Sequence, residues 1–423
     1  MNNRRLFVAS CISLLTTSMM FSIRGDIADA LTVDFHLTKE QMGAILSPAF
    51  WGFTLSIIIG GSLVDWLGMR NLLLGSSIGY IVSILVILFA LRPTGPVDSL
   101  FGHTGTFILY AGMLVIGLAQ GLVEAVINPL IATIYSHEKT HKLNVLHAWW
   151  PGGLMIGGLI AYALTKTLGL EGATGEALTF GWQVKLGVVI VPSVIFGLMI
   201  LGQRFPPTER IAAGVSTGEM IREMWRPMFL LWFVLMWMTA ATELGPDQWM
   251  PSVMGQVAGI QGILFLVYTA GMMFVLRFFG GALAHKFSPL GLLAICSVLS
   301  ALGLYALSHA TTPLLAFGAA TIFGVGKTYF WPTMLGVTSE RFPRGGPLLL
   351  AIVGGAGMLS VSFILPLMGK WYDEHGAAAA FRYTAVIPVI LTVVFGALFV
   401  YYRSRGGYKA IALTTPAPTT PAA

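Results

Sequence analysis

The chain has 423 residues, of which 56% are hydrophobic and only 10% are charged, and its mean hydropathy is +0.80. Soluble domains are about 25% charged, so this composition excludes a soluble enzyme, a nucleic-acid module and a disordered protein. The net charge of +6 comes from basic residues that lie between apolar blocks and form no single patch. Cys11 and Cys296 both lie in apolar runs, so we expect no disulfide framework. The composition is that of a polytopic membrane protein.

The apolar residues gather in about a dozen continuous runs, which predict membrane-spanning helices. A bilayer core of about 30 Å needs roughly 20 residues per helix. The runs lack the period-two alternation of barrel strands, and the first is too long for a signal peptide. We expect spans near residues 6–30, 42–65, 72–92, 106–135, 144–168, 180–202, 227–254, 257–286, 289–309, 312–335, 347–371 and 379–402.

The lysine and arginine residues predict how these spans are oriented, because cytoplasmic loops carry an excess of them. With the N-terminus inside, most of the basic residues fall on the cytoplasmic side, including Arg70, Arg204 and Arg341. Few fall outside, among them Lys39 and Lys185. We therefore expect a multi-pass protein of the cell (inner) membrane with both termini in the cytoplasm.

A polar connection divides the chain into two halves of about six spans each. It covers residues 203–226, carries four arginines, and is predicted to be a cytoplasmic linker. Residues 1–202 are then an N-terminal six-helix bundle, and residues 227–405 a C-terminal one. The tail, residues 406–423, is rich in Thr, Pro and Ala and is predicted to be disordered.

The two halves resemble each other in sequence, which indicates a duplication. Residues 61–70, after the second span, and residues 281–289, after the eighth, have a similar spacing of glycine, leucine and polar or charged residues. Residues 121–129 and 324–332, in the fourth and tenth spans, keep the same spacing of glycine, charge and proline. Such a repeat suits a transporter, because two similar bundles can rock about a site between them.

The segment 61–70 also resembles the signature of the major facilitator superfamily, roughly Gly-x-Leu-x-Asp-Arg-x-Gly-Arg-Lys. The matching positions are Gly61, Leu63, Asp65, Gly68 and Arg70. The resemblance implies an all-α membrane protein of about 12 transmembrane helices in two pseudo-symmetric six-helix bundles. It also implies a gating role for Asp65 and Arg70, although Trp66 replaces the usual basic residue between them. The alternative is a tight turn with a helix-capping carboxylate.

Ionisable side chains within the spans are the strongest functional signal. Each costs about 2.5–3.5 kcal/mol at mid-membrane, so we expect them to face a water-filled cavity or one another. Glu124 and Asn128 are four residues apart and share a helix face. A buried carboxylate favours protonation and a solvated or paired one ionises, which suits proton coupling. The alternative is a structural salt bridge, with Lys327 as one possible partner.

Three further segments carry candidate binding residues. Lys327 lies near two aromatic residues and is expected either to pair with Glu124 or to bind an anionic group of the substrate. In the seventh span, Gly245 and Pro246 are expected to break the helix, and broken helices commonly line binding sites; an outer loop is the alternative. Arg277 is expected to reach the cytoplasmic surface. The candidate substrate-binding residues are Asn128, Asn144, His147, Trp149, Glu243, Gln248, Trp249, Lys327, Tyr329 and Trp331.

The run from Glu124 to Pro129, followed by Asn144 and a glycine-rich fifth span, resembles the fucose–galactose–glucose:proton symporter branch of the superfamily. The resemblance implies that Glu124 carries protons, with Asp26 of the first span second. From the sequence alone, Asp26 is also expected to pair with Arg24. Lys327 departs from the pattern of that branch and leaves room for a sugar acid or another organic anion.

These observations predict a secondary active transporter that moves a small hydrophilic solute, a sugar above all, with protons by alternating access. The alternatives are a proton-coupled transporter of a sugar acid or organic anion, and an exporter of drugs or metabolites. A non-transporting sensor and an intramembrane enzyme are competitors from other classes, and we expect no enzymatic activity. We expect no cofactor, the proton gradient being the driving force. The expected partners are a small-molecule substrate and the lipid bilayer, not nucleic acid, and the expected state is a monomer.

Overall fold

A computed structural model of the chain describes residues 2–135, 139–206, 217–277, 286–409 and 411. These residues are almost entirely helical, and no strand occurs among them, which confirms the all-α prediction. The first half contains α1 Asn3–Asp34, α2 Lys39–Leu46, α3 Pro48–Leu67, α4 Met69–Leu88, α5 Thr104–Ile134, α6 Lys139–His147, α7 Trp149–Thr167, α8 Gly175–Gly187 and α9 Ile190–Ile200. The rest contains α10 Thr217–Met224, α11 Pro227–Ala258, α12 Ile263–Arg277, α13 Pro289–Leu307, α14 Pro313–Lys327, α15 Phe330–Arg341, α16 Gly346–His375, α17 Ala377–Thr384 and α18 Val386–Ser404.

Several predicted spans consist of two helical pieces separated by one or two residues. In each case a proline lies within the first three residues of the second piece, because proline has no N–H for the preceding turn. The prolines are Pro48 of α3, Pro151 of α7, Pro192 of α9, Pro332 of α15 and Pro388 of α18. The sequence predicted one continuous helix for each of these spans, whereas the structure has a short interruption in each.

Among the described residues, nine helical segments are long and apolar enough to cross a membrane. The other predicted spans are occupied by α7, α12 and the pair α14–α15. The structure thus agrees with about twelve transmembrane passes. The predicted domain boundaries stay predictions; α10 lies inside the predicted linker, and of the tail only residues 406–409 and 411 are described.

The helices of each half pack mainly on one another, and the halves meet along three seams. These are α2 and α3 against α16, α7 against α12, and α1 against α11. Glycines in α7 allow two of its neighbours to approach closely: a side chain at Gly157 would collide with Ser22 of α1, and one at Gly158 with Val267 of α12. Small residues at these positions let the backbones of neighbouring membrane helices approach closely.

Candidate functional site

Three polar side chains of the first half form a hydrogen-bonded chain. The Asn128 side-chain amide donates to Glu124 Oε2 at 2.9 Å and to the Glu124 carbonyl at 3.2 Å. His147 Nε2 lies 2.8 Å from Asn128 Oδ1. Because the amide nitrogen serves Glu124, Asn128 Oδ1 is the acceptor and His147 Nε2 the donor. The i,i+4 spacing on α5 predicted the first contact.

The side chains of Glu124, Asn128 and His147 are all half-buried. They lie in a bundle whose helices otherwise pack through apolar residues. His147 ends α6, at the break before α7, so the imidazole turns from the backbone break toward α5. A carboxylate and an imidazole that share one amide can hold and exchange a proton while staying partly accessible.

Lys327 pairs with Asp247, and the predicted alternative, a pair with Glu124, is wrong. The Lys327 ammonium donates to Asp247 Oδ1 and, at 3.3 Å, to Thr269 Oγ1. The lysine and aspartate side chains are 0% and 1% exposed. The physical reason is topological: Asp247 on α11 faces α14 within the second half, whereas Glu124 belongs to the first half.

Arg277 does not reach the surface, as the sequence led us to expect, but turns into the second half. Its guanidinium lies 3.7 Å from Glu243 Oε1, and its Nε donates to the Thr328 carbonyl at 3.3 Å. The Glu243 side chain is only 2% exposed. A buried carboxylate one turn from Asp247 attracts this cation more strongly than the membrane surface does.

The segment with Gly245 and Pro246 is continuous helix, so the predicted break is wrong. α11 runs from Pro227 to Ala258 with Pro246 and Pro251 inside it. A proline in a packed membrane helix is tolerated where neighbours satisfy the freed backbone groups. The outer-loop alternative is wrong as well, because this segment is buried.

Two residues that follow Pro246 are buried, Gln248 at the seam between the halves and Trp249 within the second half. The Gln248 side-chain amide donates to the Phe21 carbonyl of α1 at 3.3 Å. Trp249 Nε1 donates to the Leu365 carbonyl at 3.2 Å, and this conformation exposes no face of its ring. A substrate-binding role for Gln248 and Trp249 stays a prediction. Gln248 lies directly between the halves.

Asp26 pairs with Lys185 of α8 and not with Arg24, its predicted partner. The Lys185 ammonium donates to Asp26 Oδ2 at 2.6 Å, and both side chains are about one-tenth exposed. Arg24 lies two residues before Asp26, so it leaves the helix on a different face. It is fully buried, and none of its guanidinium nitrogens has a hydrogen-bond acceptor in the described part of the chain.

The remaining candidates are scattered. Trp149 is 39% exposed, Tyr329 donates its hydroxyl to the Leu276 carbonyl at 2.7 Å, and Trp331 is half-buried. Arg70 is exposed at the start of α4. The side chains of Asp65 and Asn144 lie outside the described residues, so the structure does not bear on the gating aspartate or on that asparagine.

The sequence also contains two short hydrolase-like strings, of which the structure describes the side chains of one. Residues 75–79 read Gly-x-Ser-x-Gly, but Ser77 lies inside α4 and donates to the Ser193 carbonyl at 2.8 Å, whereas a nucleophile needs a strand-to-helix turn. Residues 137–141 read His-Glu-x-x-His, and their side chains lie outside the described residues. Among those that are described, no group of acidic, His or Cys side chains could hold a metal.

Sequence reasoning missed that Asp247 and Lys185 are partners in buried ion pairs and that Arg24 is unpaired among the described residues. Asp247 had a signal, since it lies four residues after Glu243 on the same helix face. Lys185 had none, because its partner is far away in sequence.

The family model described as Major Facilitator Superfamily matches residues 6–344. Monosaccharide-sensing protein 2 of Arabidopsis thaliana is 28% identical over 165 residues, which are 38% of this chain and 20% of that protein. The gentisate transporter of Corynebacterium glutamicum is 25% identical over 264 residues, 59% of this chain and 53% of that protein. The chain therefore spans less than two thirds of the length of these curated relatives.

A solved structure of similar fold is that of a D-xylose-proton symporter, with a TM-score of 0.75 and 16% sequence identity. The match covers 94% of this chain and 97% of the other. At this identity the likeness shows the fold, which is two pseudo-symmetric helical bundles, as the sequence predicted.

Proposed function

The chain belongs to the Major Facilitator Superfamily, and we propose that it moves a small polyhydroxylated solute, a sugar or a sugar derivative, together with protons. As a member of this family it is a multi-pass membrane transporter and not an enzyme. Support for a sugar comes from the similarity to monosaccharide-sensing protein 2 and from the fold shared with a D-xylose-proton symporter.

The single observation that carries the proton coupling is the hydrogen-bonded chain of Glu124, Asn128 and His147. Glu124 is a half-buried carboxylate whose hydrogen-bond donor is a neutral amide, not a cation. Taking up a proton there cancels a charge without breaking an ion pair. We assign the proton to Glu124 first and to Asp26 second, since Asp26 is already bonded to Lys185.

The solute is proposed to lie between the halves, against the first-half chain and Gln248. Asn128 and His147 offer hydrogen bonds to hydroxyl groups, and Gln248 presents an amide from the second half. Among the candidate aromatic residues, Trp149 is partly exposed and is proposed to stack on the solute.

We propose that the structure represents a state closed on the extracellular side of the inner membrane, with both termini cytoplasmic. Several of the bonds that join the halves lie at the end opposite the termini: Ser252 donates to Asp29 at 2.5 Å, Gln261 to Glu171 at 2.6 Å, and the Asp373 carboxylate accepts from the backbone at Lys39 and Glu40 at 3.0 and 2.8 Å. Alternating access then requires these bonds to break. We expect the monomer to suffice, with the proton gradient as the driving force.

A sugar acid or another organic anion is the second candidate substrate. The observation that favours it is the unpaired Arg24, and the gentisate transporter is a relative whose name refers to an organic acid.

The test is a Glu124→Gln variant in proteoliposomes, screened with sugars and sugar acids. We expect the wild-type protein to accumulate its solute under an inward proton gradient. Glu124→Gln should lose accumulation but keep counterflow exchange, since the solute still binds. Glu176→Gln, an exposed carboxylate of α8, is the matched control and should behave as wild type. Undiminished pH-dependent accumulation by Glu124→Gln would contradict the assignment.

A further inference from the structure

Arg24 is a buried cation that has no ionic partner among the residues that the structure describes. Its side chain is 0% exposed, on a helix that crosses the membrane. Neither Nε nor either terminal nitrogen donates a hydrogen bond to any described residue. Leaving such a charge buried and unpaired is strongly destabilising. A buried guanidinium that is this costly to keep unpaired is expected to have a function, such as binding an anion.

The buried acids on α1 and α11 that could have paired with it have other partners. Asp26 is bonded to Lys185, Asp29 to Lys39 and Ser252, and Asp247 to Lys327. Glu124 accepts from Asn128 and forms no ion pair with Arg24, so no described carboxylate neutralises the guanidinium.

The position of the guanidinium is fixed by aromatic rings. Its central carbon lies 5.0 Å from the centre of the Phe50 ring and 5.7 Å from that of Phe21. Such contacts favour the cation over the ring faces. A planar guanidinium carries a fork of N–H donors that matches a carboxylate with two parallel bonds.

A second unpartnered group lies at the same seam. Gln248 Oε1 is buried and has no hydrogen-bond donor among the described residues, while its amide nitrogen reaches the Phe21 carbonyl. A Cβ atom on Gly25, the residue after Arg24, would lie 2.9 Å from Gln248 Nε2, so α1 and α11 touch at this level. The first half thus offers charged donors and the second half an acceptor for a hydroxyl.

We propose that Arg24 is the anion-binding residue of the transport site and that the solute carries a carboxylate beside its hydroxyl groups, as a sugar acid does. Arg24 binds the carboxylate through its fork, and Gln248 accepts a hydrogen bond from a hydroxyl. Lys327, which the sequence suggested for this role, is occupied by Asp247. The inference rests on the proposed function and narrows its substrate class.

The experiment compares probes that differ in one group: D-glucuronate against D-glucose, and D-galacturonate against D-galactose. Binding to the purified full-length protein is measured by calorimetry. We expect an acid to bind and its neutral partner to bind far more weakly. Arg24→Gln should weaken the acid by about 100-fold, and Arg24→Lys by roughly tenfold because the charge stays but the fork is lost. Arg403→Gln, which removes an exposed arginine that lies over a ring of α18, is the matched control and should change nothing.

A second readout excludes a merely structural role. Removing a structural buried cation would lower the thermal stability of the ligand-free protein, whereas Arg24→Gln should leave it equal or raise it. Three results overturn the inference: a neutral sugar bound as tightly as its acid, an acid affinity insensitive to Arg24→Gln, or a loss of ligand-free stability in that variant. Proton-coupled uptake of a neutral sugar would then leave the proposed function standing; absence of coupled uptake of all four probes would count against both.

Discussion

In the second half of the molecule the buried acids face buried bases, whereas in the first half Glu124 and Arg24 each lack an ionic partner among the described residues. Glu243 faces Arg277, and Asp247 faces Lys327, all between α11 and its neighbours in the second half. Glu124 is bonded to Asn128, and Arg24 lies over aromatic rings. The two halves share an architecture but use their charges differently.

This difference indicates a division of labour. Matched pairs in a low-dielectric interior hold one arrangement, and breaking them is costly. Unmatched groups are free to bind a proton or an anion, because their charge is not already compensated. We therefore place proton and substrate chemistry mainly in the first half and assign the second-half pairs to structure.

The largest effect is expected from breaking a matched pair. Lys327→Met leaves the Asp247 carboxylate buried and alone, which should lower the free energy of unfolding by about 3–5 kcal/mol. The double variant Asp247→Asn/Lys327→Met should recover most of that loss. Thermal unfolding in detergent measures both. A single variant as stable as the wild-type protein would mean that the pair does not hold the second half together.

A smaller effect is expected within the hydrogen-bonded chain. His147→Ala removes the hydrogen-bond donor to Asn128 Oδ1, which is half-buried, and the loss of a typical hydrogen bond costs about 0.5–1.5 kcal/mol. We expect proton-driven uptake to fall by about tenfold, since 1.4 kcal/mol is a factor of ten. His147→Gln should restore part of the uptake, and His309→Ala, an exposed histidine after α13, serves as control. Wild-type uptake by His147→Ala would remove the imidazole from the site.

The smallest effect is expected at the closed end. The Asp373 carboxylate accepts hydrogen bonds from two backbone N–H groups at the start of α2. The dipole of α2 also stabilises a negative charge at this end of the helix. Asp373→Asn should lower stability by about 0.3–1 kcal/mol and favour opening at this end. Its neighbour Glu374, which lies near Lys370 of its own helix, provides the control Glu374→Gln. Equal melting temperatures for the two variants would show that Asp373 does not help join the halves.

The parts of this architecture that depend on local pattern were predictable from sequence. The apolar runs predicted the helices, and the four-residue spacing predicted that Glu124 and Asn128 share a face. Proline effects were not predictable: a break that the sequence did not predict precedes α18 near Pro388, whereas the break predicted at Pro246 is absent and that proline lies inside α11. Whether a membrane helix continues past proline depends on what its neighbours supply to the freed carbonyl.

The pairing of distant charges was not predictable. Asp26 and Lys185 are 159 residues apart in the sequence, and Lys327 and Asp247 are 80 apart. Only the tertiary structure therefore determines which charged residues form pairs. Proximity in the sequence suggested the nearest opposite charge, Arg24, as the partner of Asp26, and this prediction was wrong. That Arg24 has no ionic partner in the described part of the chain is likewise a property of the tertiary structure.

The comparison between the halves is tested most directly by proton movement that a solute drives. Proteoliposomes are loaded with a pH-sensitive dye, and the solute found in the screen is added outside without an imposed pH gradient. We expect the wild-type protein and the Asp247→Asn/Lys327→Met variant to acidify the lumen, and Glu124→Gln to cause no change. Acidification by Glu124→Gln, or its loss only in the second-half double variant, would contradict the account.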